Sequence, residues 1–196
     1  LLARTMVDLG KAVGRETVAV LTNMNQPLGY AIGNRNEITE AVNTLNGKGT
    51  SEFRHFIAEL AQIMLSLAGI EKTVPEIIEN LDNGKAYAKF LAMCKAQHGD
   101  ATAFNHLTAE LNVTHTAEIY AERAGYISQE KAMGVGIVAM KLGAGRATKA
   151  DIIDFEAGIT LAKKVGDLVQ EGDLIATLYS NREISSDLIA EFKDNI

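Results

Sequence analysis

The chain opens on a helical pattern followed by one short apolar segment. An amphipathic helix is indicated by apolar residues recurring at spacings of three and four, namely Leu2, Met6, Leu9 and Val13. Residues 17–22 (TVAVLT) are apolar on both faces, as in a strand buried in a parallel sheet. Such a strand needs neighbours, and the next hundred residues contain no similar segment. We therefore expect the sequence to begin inside an α/β domain whose other strands are encoded upstream.

Helical patterns dominate the stretch that follows. Four helices are predicted, at about residues 36–45, 51–67, 74–81 and 85–95. Ser51 is the expected cap of the second helix, and residues 73–76 (TVPE) form a capping box at the start of the third. Residues 1–113 are therefore predicted to be a mostly helical, incomplete remainder of a parallel-sheet α/β domain.

The hydrophobic period changes near residues 112–116. Short alternating runs in residues 114–127 predict strands, and Ser128 is expected to open a helix that ends at Gly143. Further short strands punctuated by glycine are predicted in residues 158–179, before a last helix at 186–192. The fold class expected for the whole chain is α/β (α+β), with a second domain at residues 114–196.

Composition and charge narrow the class of protein. The chain has 196 residues, a net charge of −6 and scattered basic residues, which argues against a nucleic-acid partner. No apolar run reaches the roughly 20 residues that a membrane span requires. The single cysteine, Cys94, excludes an internal disulfide and favours a cytoplasmic location.

The most informative segment is the loop at residues 22–34 (TNMNQPLGYAIGN), which precedes a helix carrying Glu37 and Glu40. Glycines allow such a loop to fold tightly and to turn carbonyl oxygens inward. Carbonyls together with one helix carboxylate suit a hard cation such as K⁺, Na⁺ or Ca²⁺ better than zinc. The alternative is a tight loop with a structural role only.

Other motifs carry weaker signals. Residues 143–146 (GAGR) follow a helix rather than a strand, so a helix stop is favoured over a phosphate cradle. Residues 165–174 (VGDLVQEGDL) are typical of hammerhead and lipoyl- or biotinyl-type barrels. A carrier module with Lys141 as the modified lysine is therefore the alternative function. No pairing of a nucleophile with a base is recognisable.

Two segments together resemble one enzyme family. Residues 22–34 with Glu37 and Glu40, and residues 142–149 (LGAGRATK) with the later glycine-rich hairpin, are similar to pyrimidine-nucleoside and thymidine phosphorylases. The resemblance covers essentially the whole chain and implies that residues 114–196 are the family's C-terminal hammerhead domain. It also implies a cytoplasmic homodimer that uses inorganic phosphate to split uridine- or thymidine-type nucleosides into free base and (deoxy)ribose 1-phosphate.

The same resemblance implies a site for a monovalent cation, usually K⁺. In the family, two residues of the phosphate-binding loop and three residues of the later loop and helix hold this cation. The positions that match the latter three are Leu28 and Ala31, through their carbonyls, and Glu40, through its carboxylate. The family's phosphate- and base-binding motifs have no match in this sequence, so no catalytic residue is carried over. We therefore expect the 196-residue chain by itself to be inactive.

Overall fold

The structure, a computed structural model, describes residues 1–107 and 110–196 and combines helices with antiparallel sheets. Its α-helices are α1 (Leu2–Ala12), α2 (Arg35–Leu45), α3 (Ser51–Leu67), α4 (Val74–Asp82), α5 (Lys85–Ala96), α6 (Ala132–Ala139) and α7 (Ser186–Lys193). Its strands are β1 (Ala31–Gly33), β2 (His115–Tyr120), β3 (Gly125–Tyr126), β4 (Gly158–Leu161), β5 (Leu168–Val169) and β6 (Leu174–Ser180). The mixed α/β (α+β) class is confirmed.

The larger sheet contains strands from both of the units predicted from the sequence. Its strand order is β1-β4-β6-β2, every neighbouring pair is antiparallel, and β3 pairs with β5 in a separate ribbon. The edge strand β1 lies in the first predicted unit, whereas the other three strands lie in the second. The first unit thus contributes a strand to the sheet of the second, and the division at residues 113 and 114 stays a prediction.

The hydrophobic core lies in the C-terminal part, between the larger sheet and helices α6 and α7. Phe192, Leu178 and Ile159 are each 0% exposed and belong to one cluster of buried residues. Burying a side chain of this size stabilises the fold by about 1.5–3 kcal/mol. Helix α1, in contrast, has no buried residue. In the described part of the chain, no helix is long and apolar enough to cross a membrane.

The predicted strand at residues 17–22 is wrong. Residues 15–24 contain neither helix nor strand, and Val18, Val20 and Leu21 are exposed. A strand is defined by the partner that its backbone bonds, and among the described residues no strand pairs with this segment. The apolar pattern was therefore insufficient to predict a strand.

Two helix starts differ from the sequence prediction. Helix α6 begins at Ala132 rather than Ser128, because backbone amides there bond distant residues: Lys131 N donates to Asn195 O at 2.8 Å and Ala132 N to Asn25 O at 2.9 Å. The cap of α3 is Thr50, whose hydroxyl accepts from Phe53 N, rather than Ser51.

The capping box at the start of α4 is confirmed. The Thr73 hydroxyl accepts from Glu76 N, and the Glu76 carboxylate accepts from Thr73 N at 2.8 Å. The pKa of Glu76 is lowered to about 2 from its ordinary 4.5. The largest cause is the hydrogen bond from the Thr73 backbone amide, and the side chains of Lys72 and Thr73 contribute further bonds to the carboxylate. The ionised carboxylate therefore stabilises the helix start.

We predict a pH-dependent effect for Glu76→Gln. A lowered folded-state pKa contributes stability that is fully present above pH 4.5 and is lost as the pH falls through about 2. The difference in unfolding free energy between the wild type and the variant should therefore shrink over that interval, as measured by urea unfolding. The control is Glu79→Gln, which removes the same charge from the same helix without touching Thr73. Equal pH dependence of the two variants would contradict the prediction.

Candidate functional site

The loop before β1 is bound along its length by the C-terminal part of the chain. Backbone amides from that part donate to three loop residues: Ala132 N to Asn25 O at 2.9 Å, Val165 N to Gln26 Oε1 at 3.3 Å and Leu161 N to Tyr30 O at 2.7 Å. We call residues 25–31 the cation loop, after the role predicted for it. The conformation of this loop therefore depends on contacts with residues that lie more than 100 positions away in the sequence.

Glu40 of α2 closes the loop from the other side. Its Oε1 accepts from Tyr30 N at 2.8 Å, and its Oε2 accepts from Ala31 N at 3.3 Å. The carboxylate lies so near the loop that a Cβ on Gly29 would be 2.1 Å from Oε2. Any larger residue at this position would therefore displace the Glu40 carboxylate.

Asparagine and glutamate side chains at the start of α2 fix the helix against the sheet. Asn36 is 7% exposed, and its amide nitrogen donates to the carbonyls of Ile32 at 3.0 Å and Ile159 at 2.9 Å. Glu37 accepts from Gly33 N at 2.9 Å, so a carboxylate satisfies a free amide near the helix N-terminus. These bonds place Glu40, one turn further on, beside the cation loop.

A buried lysine from the C-terminal part lies against the same loop. Lys164 is 7% exposed, and its ammonium donates to the carbonyl of Pro27 and, at 3.1 Å, to that of Gly29. The ammonium also lies 5.6 Å from the centre of the Tyr30 ring, within the range of a cation–π contact. Loop carbonyls therefore already converge on one cation that the protein itself supplies.

Glu130 balances the charge of this lysine. It is 1% exposed, and its Oε2 lies 3.3 Å from Lys164 Nζ. Among the described residues, neither carboxylate oxygen has a hydrogen bond of good geometry. Burial raises the pKa of Glu130, while the charge of Lys164 opposes that rise. Removing one partner of a buried pair typically costs about 3–5 kcal/mol, because the other charge is left uncompensated.

The three predicted ligands, Leu28, Ala31 and Glu40, lie on this loop and the adjacent helix. Ala31 pairs with Thr160 in the β1–β4 ladder. Since Tyr30 O already accepts from β4 and neighbouring residues alternate in an antiparallel ladder, the Ala31 carbonyl is directed away from β4.

Among residues 1–107 and 110–196, protein donors reach the loop carbonyls of Asn25, Pro27, Gly29 and Tyr30, and the carbonyls of Leu28 and Ala31 are not among these four. Carbonyl and carboxylate oxygens form a donor set suited to a hard cation. Within residues 1–107 and 110–196, no group of three or more His, Cys, Asp or Glu side chains is arranged to hold a metal ion. The predicted cation ligands stay a prediction.

The remaining motifs have structural roles. Asp151 Oδ2 accepts from Ala147 N and Thr148 N, both at 2.8 Å, so the two amides that directly follow residues 143–146 are already paired. Lys141 lies in a π-helical turn at Met140–Ala144, and its Nζ donates to Glu191 at 2.6 Å. Nothing in this arrangement supports a lipoyl- or biotinyl-type carrier.

Sequence reasoning missed Lys164 and Glu130. Lys164 follows another lysine, and nothing local distinguishes the buried one from its neighbour. Glu130 lies two residues after Ser128, in the first turn of the helix predicted from the sequence, where a carboxylate is normally exposed. Their roles come from contacts with residues that are distant in sequence.

We predict that Gly29→Ala releases Glu40 from the loop. The new Cβ displaces the carboxylate, and the amides of Tyr30 and Ala31 lose a charged acceptor, at a cost of about 1–3 kcal/mol. Hydrogen exchange should show faster exchange of both amides, and urea unfolding should show the loss of stability. The control is Gly136→Ala in α6, where no atom lies within 4 Å of the new Cβ and a gain of about 0.5–1 kcal/mol is expected. Unchanged exchange in Gly29→Ala would contradict the prediction.

Comparisons with known proteins agree with the resemblance. Residues 126–196 match the family described as Pyrimidine nucleoside phosphorylase C-terminal domain. The Pyrimidine-nucleoside phosphorylase of Bacillus subtilis (strain 168) is 42% identical over 199 aligned residues, covering 100% of this chain and 46% of the relative. The protein of the same name from Staphylococcus aureus (strain USA300) is 39% identical with the same coverage.

The chain thus spans about half the length of the curated relatives it matches. The chain is about 40% identical to these relatives along all of its 196 residues, and residues 126–196 also match the corresponding family domain. The chain therefore belongs to the pyrimidine-nucleoside phosphorylase family.

Proposed function

We propose that this chain contributes the cation loop and the C-terminal domain of an enzyme that catalyses reversible phosphorolysis of pyrimidine nucleosides. Inorganic phosphate attacks the sugar carbon that bears the base, and the products are the free pyrimidine and ribose or deoxyribose 1-phosphate. The observation that carries the proposal is the 42% identity with the Bacillus subtilis Pyrimidine-nucleoside phosphorylase along the entire chain. Uridine- and thymidine-type nucleosides are the substrates in this proposal.

Within that enzyme, we propose that Leu28 and Ala31 bind K⁺ through their carbonyls and Glu40 through its carboxylate. The contact of Glu40 with the loop backbone supports the proposal, because the carboxylate already lies beside Ala31. A bound K⁺ supplies a fixed positive charge that holds loop and helix together. The chain's own contribution is to position these oxygens, and such positioning is a large part of catalysis by preorganised sites.

The proposal includes a cytoplasmic homodimer. The single cysteine supports a reducing compartment, since the sequence contains no pair of cysteines to form an internal disulfide. The dimer rests on the family resemblance, and size-exclusion chromatography with light scattering would test it.

We predict that the chain can replace its counterpart in a working enzyme. A chimera in which these 196 residues substitute for the matched segment of the Bacillus subtilis relative should release uracil from uridine in phosphate buffer, as followed by absorbance. The 196-residue chain alone should release none, because it carries no match to the phosphate- and base-binding motifs. A folded but inactive chimera would contradict the proposed function, and turnover by the chain alone would contradict the expected location of the active site.

We predict that Glu40→Gln, introduced into the same chimera, abolishes stabilisation by K⁺. A ligand that binds only the folded state raises stability with its concentration, so the melting temperature of the wild type should rise with KCl relative to choline chloride at equal ionic strength. The neutral variant should lose this difference. Glu37→Gln is the matched control, because Glu37 bonds Gly33 N on the same helix and is not a proposed ligand. A K⁺ effect that persists in Glu40→Gln would exclude Glu40 as a ligand.

A further inference from the structure

The peptide group that joins Gly29 and Tyr30 lies between two opposite charges. Its carbonyl oxygen accepts from the Lys164 ammonium at 3.1 Å, and its N–H donates to Glu40 Oε1 at 2.8 Å. A planar peptide held at both ends has a fixed orientation. The buried lysine and the carboxylate proposed as a cation ligand are thus coupled through one peptide.

We propose that Lys164 is a positioning residue for the cation loop, which orients the peptides around Leu28 and Ala31 so that their carbonyls are left for the cation. The proposal rests on the proposed function, since it concerns the same loop. It assigns to the C-terminal domain a direct part in setting the affinity of the loop for a monovalent cation.

The contacts on either side of Leu28 support this role. Lys164 binds the carbonyl of Pro27 before it and the carbonyl of Gly29 after it. The peptide that carries the Leu28 carbonyl therefore lies between two peptides that one ammonium holds. Each peptide group is planar, so the Leu28 carbonyl can turn only through the φ and ψ angles on either side of its peptide. Because the two neighbouring peptides are held, that rotation is restricted.

Charge balance supports the role as well. An uncompensated ammonium beside the loop would repel a second cation, and in a poorly hydrated site the repulsion is screened weakly. Glu130 lies 3.3 Å from Lys164 and is 1% exposed, so it neutralises the lysine within the protein. Glu40 is then left as the carboxylate available to a bound cation.

A purely structural role is the competing explanation, because a buried ion pair affects folding whatever it positions. The double variant Glu130→Met/Lys164→Met separates the two roles. It removes both charges together and replaces them with flexible apolar side chains, which are often tolerated where an ion pair was buried. Stability can then recover although the bonds to the loop carbonyls are absent.

The test compares four forms of the chimera with the Bacillus subtilis relative, in which these 196 residues carry the wild-type sequence, Lys164→Met, the double variant or Lys163→Met. Lys163 is the matched control, because it is the adjacent lysine and pairs with Asp173 at 3.7 Å. Two readouts are needed, hydrogen exchange of the Tyr30 and Ala31 amides without K⁺, and the KCl concentration that gives half of the rise in melting temperature.

In Lys164→Met we expect both amides to exchange at least tenfold faster and the half-effect KCl concentration to rise at least tenfold. The double variant should regain melting temperature without regaining either loop property, and Lys163→Met should match the wild type. Wild-type exchange and K⁺ response in the double variant would overturn the proposal. If the wild type shows no K⁺ response, the cation site of the proposed function fails, while the exchange rates still decide whether Lys164 positions the loop.

Discussion

The buried ammonium of Lys164 is the group on which the arrangement around the loop depends. A charge taken out of water is costly unless it is paired and hydrogen-bonded. Lys164 meets that requirement with Glu130 and with the carbonyls of Pro27 and Gly29. Three segments that are far apart in sequence must therefore come together at one point. If any one of them were absent, the buried ammonium would lose a partner, and this cost in free energy keeps the loop against the C-terminal part of the chain.

A second constraint is the nearly direct connection between strand β1 and helix α2. Only Asn34 separates the last residue of the strand from the first residue of the helix. The side chain of Asn36 then bonds carbonyls of both β1 and β4, so the helix cannot move without disturbing the sheet. Glu40 is carried to the loop by this rigid junction. The candidate site is thus built on a sheet edge and a helix rather than on the loop alone.

The candidate site was predictable only in part. The glycine-rich loop followed by a helix carboxylate indicated a cation site, the family resemblance selected Glu40, and the structure places that carboxylate against the loop. The sequence did not reveal that Glu40 accepts from loop amides, or that Lys164 holds the loop carbonyls. Both facts depend on how β1 pairs with β4, and no local pattern encodes that pairing. Family resemblance supplied the choice of Leu28 and Ala31, which remain predictions.

The sequence by itself determined the elements whose causes are local. Helices α2 to α5 follow from apolar spacing, and the capping box at Thr73 follows from residues three positions apart. Tertiary structure decided the elements whose causes are distant. Residues 17–22 had a strand-like pattern but form no strand, and α6 starts late because Asn25 and Asn195 accept from its first amides. Backbone groups and buried charges must be satisfied by partners, and only the folded chain determines which partners are near.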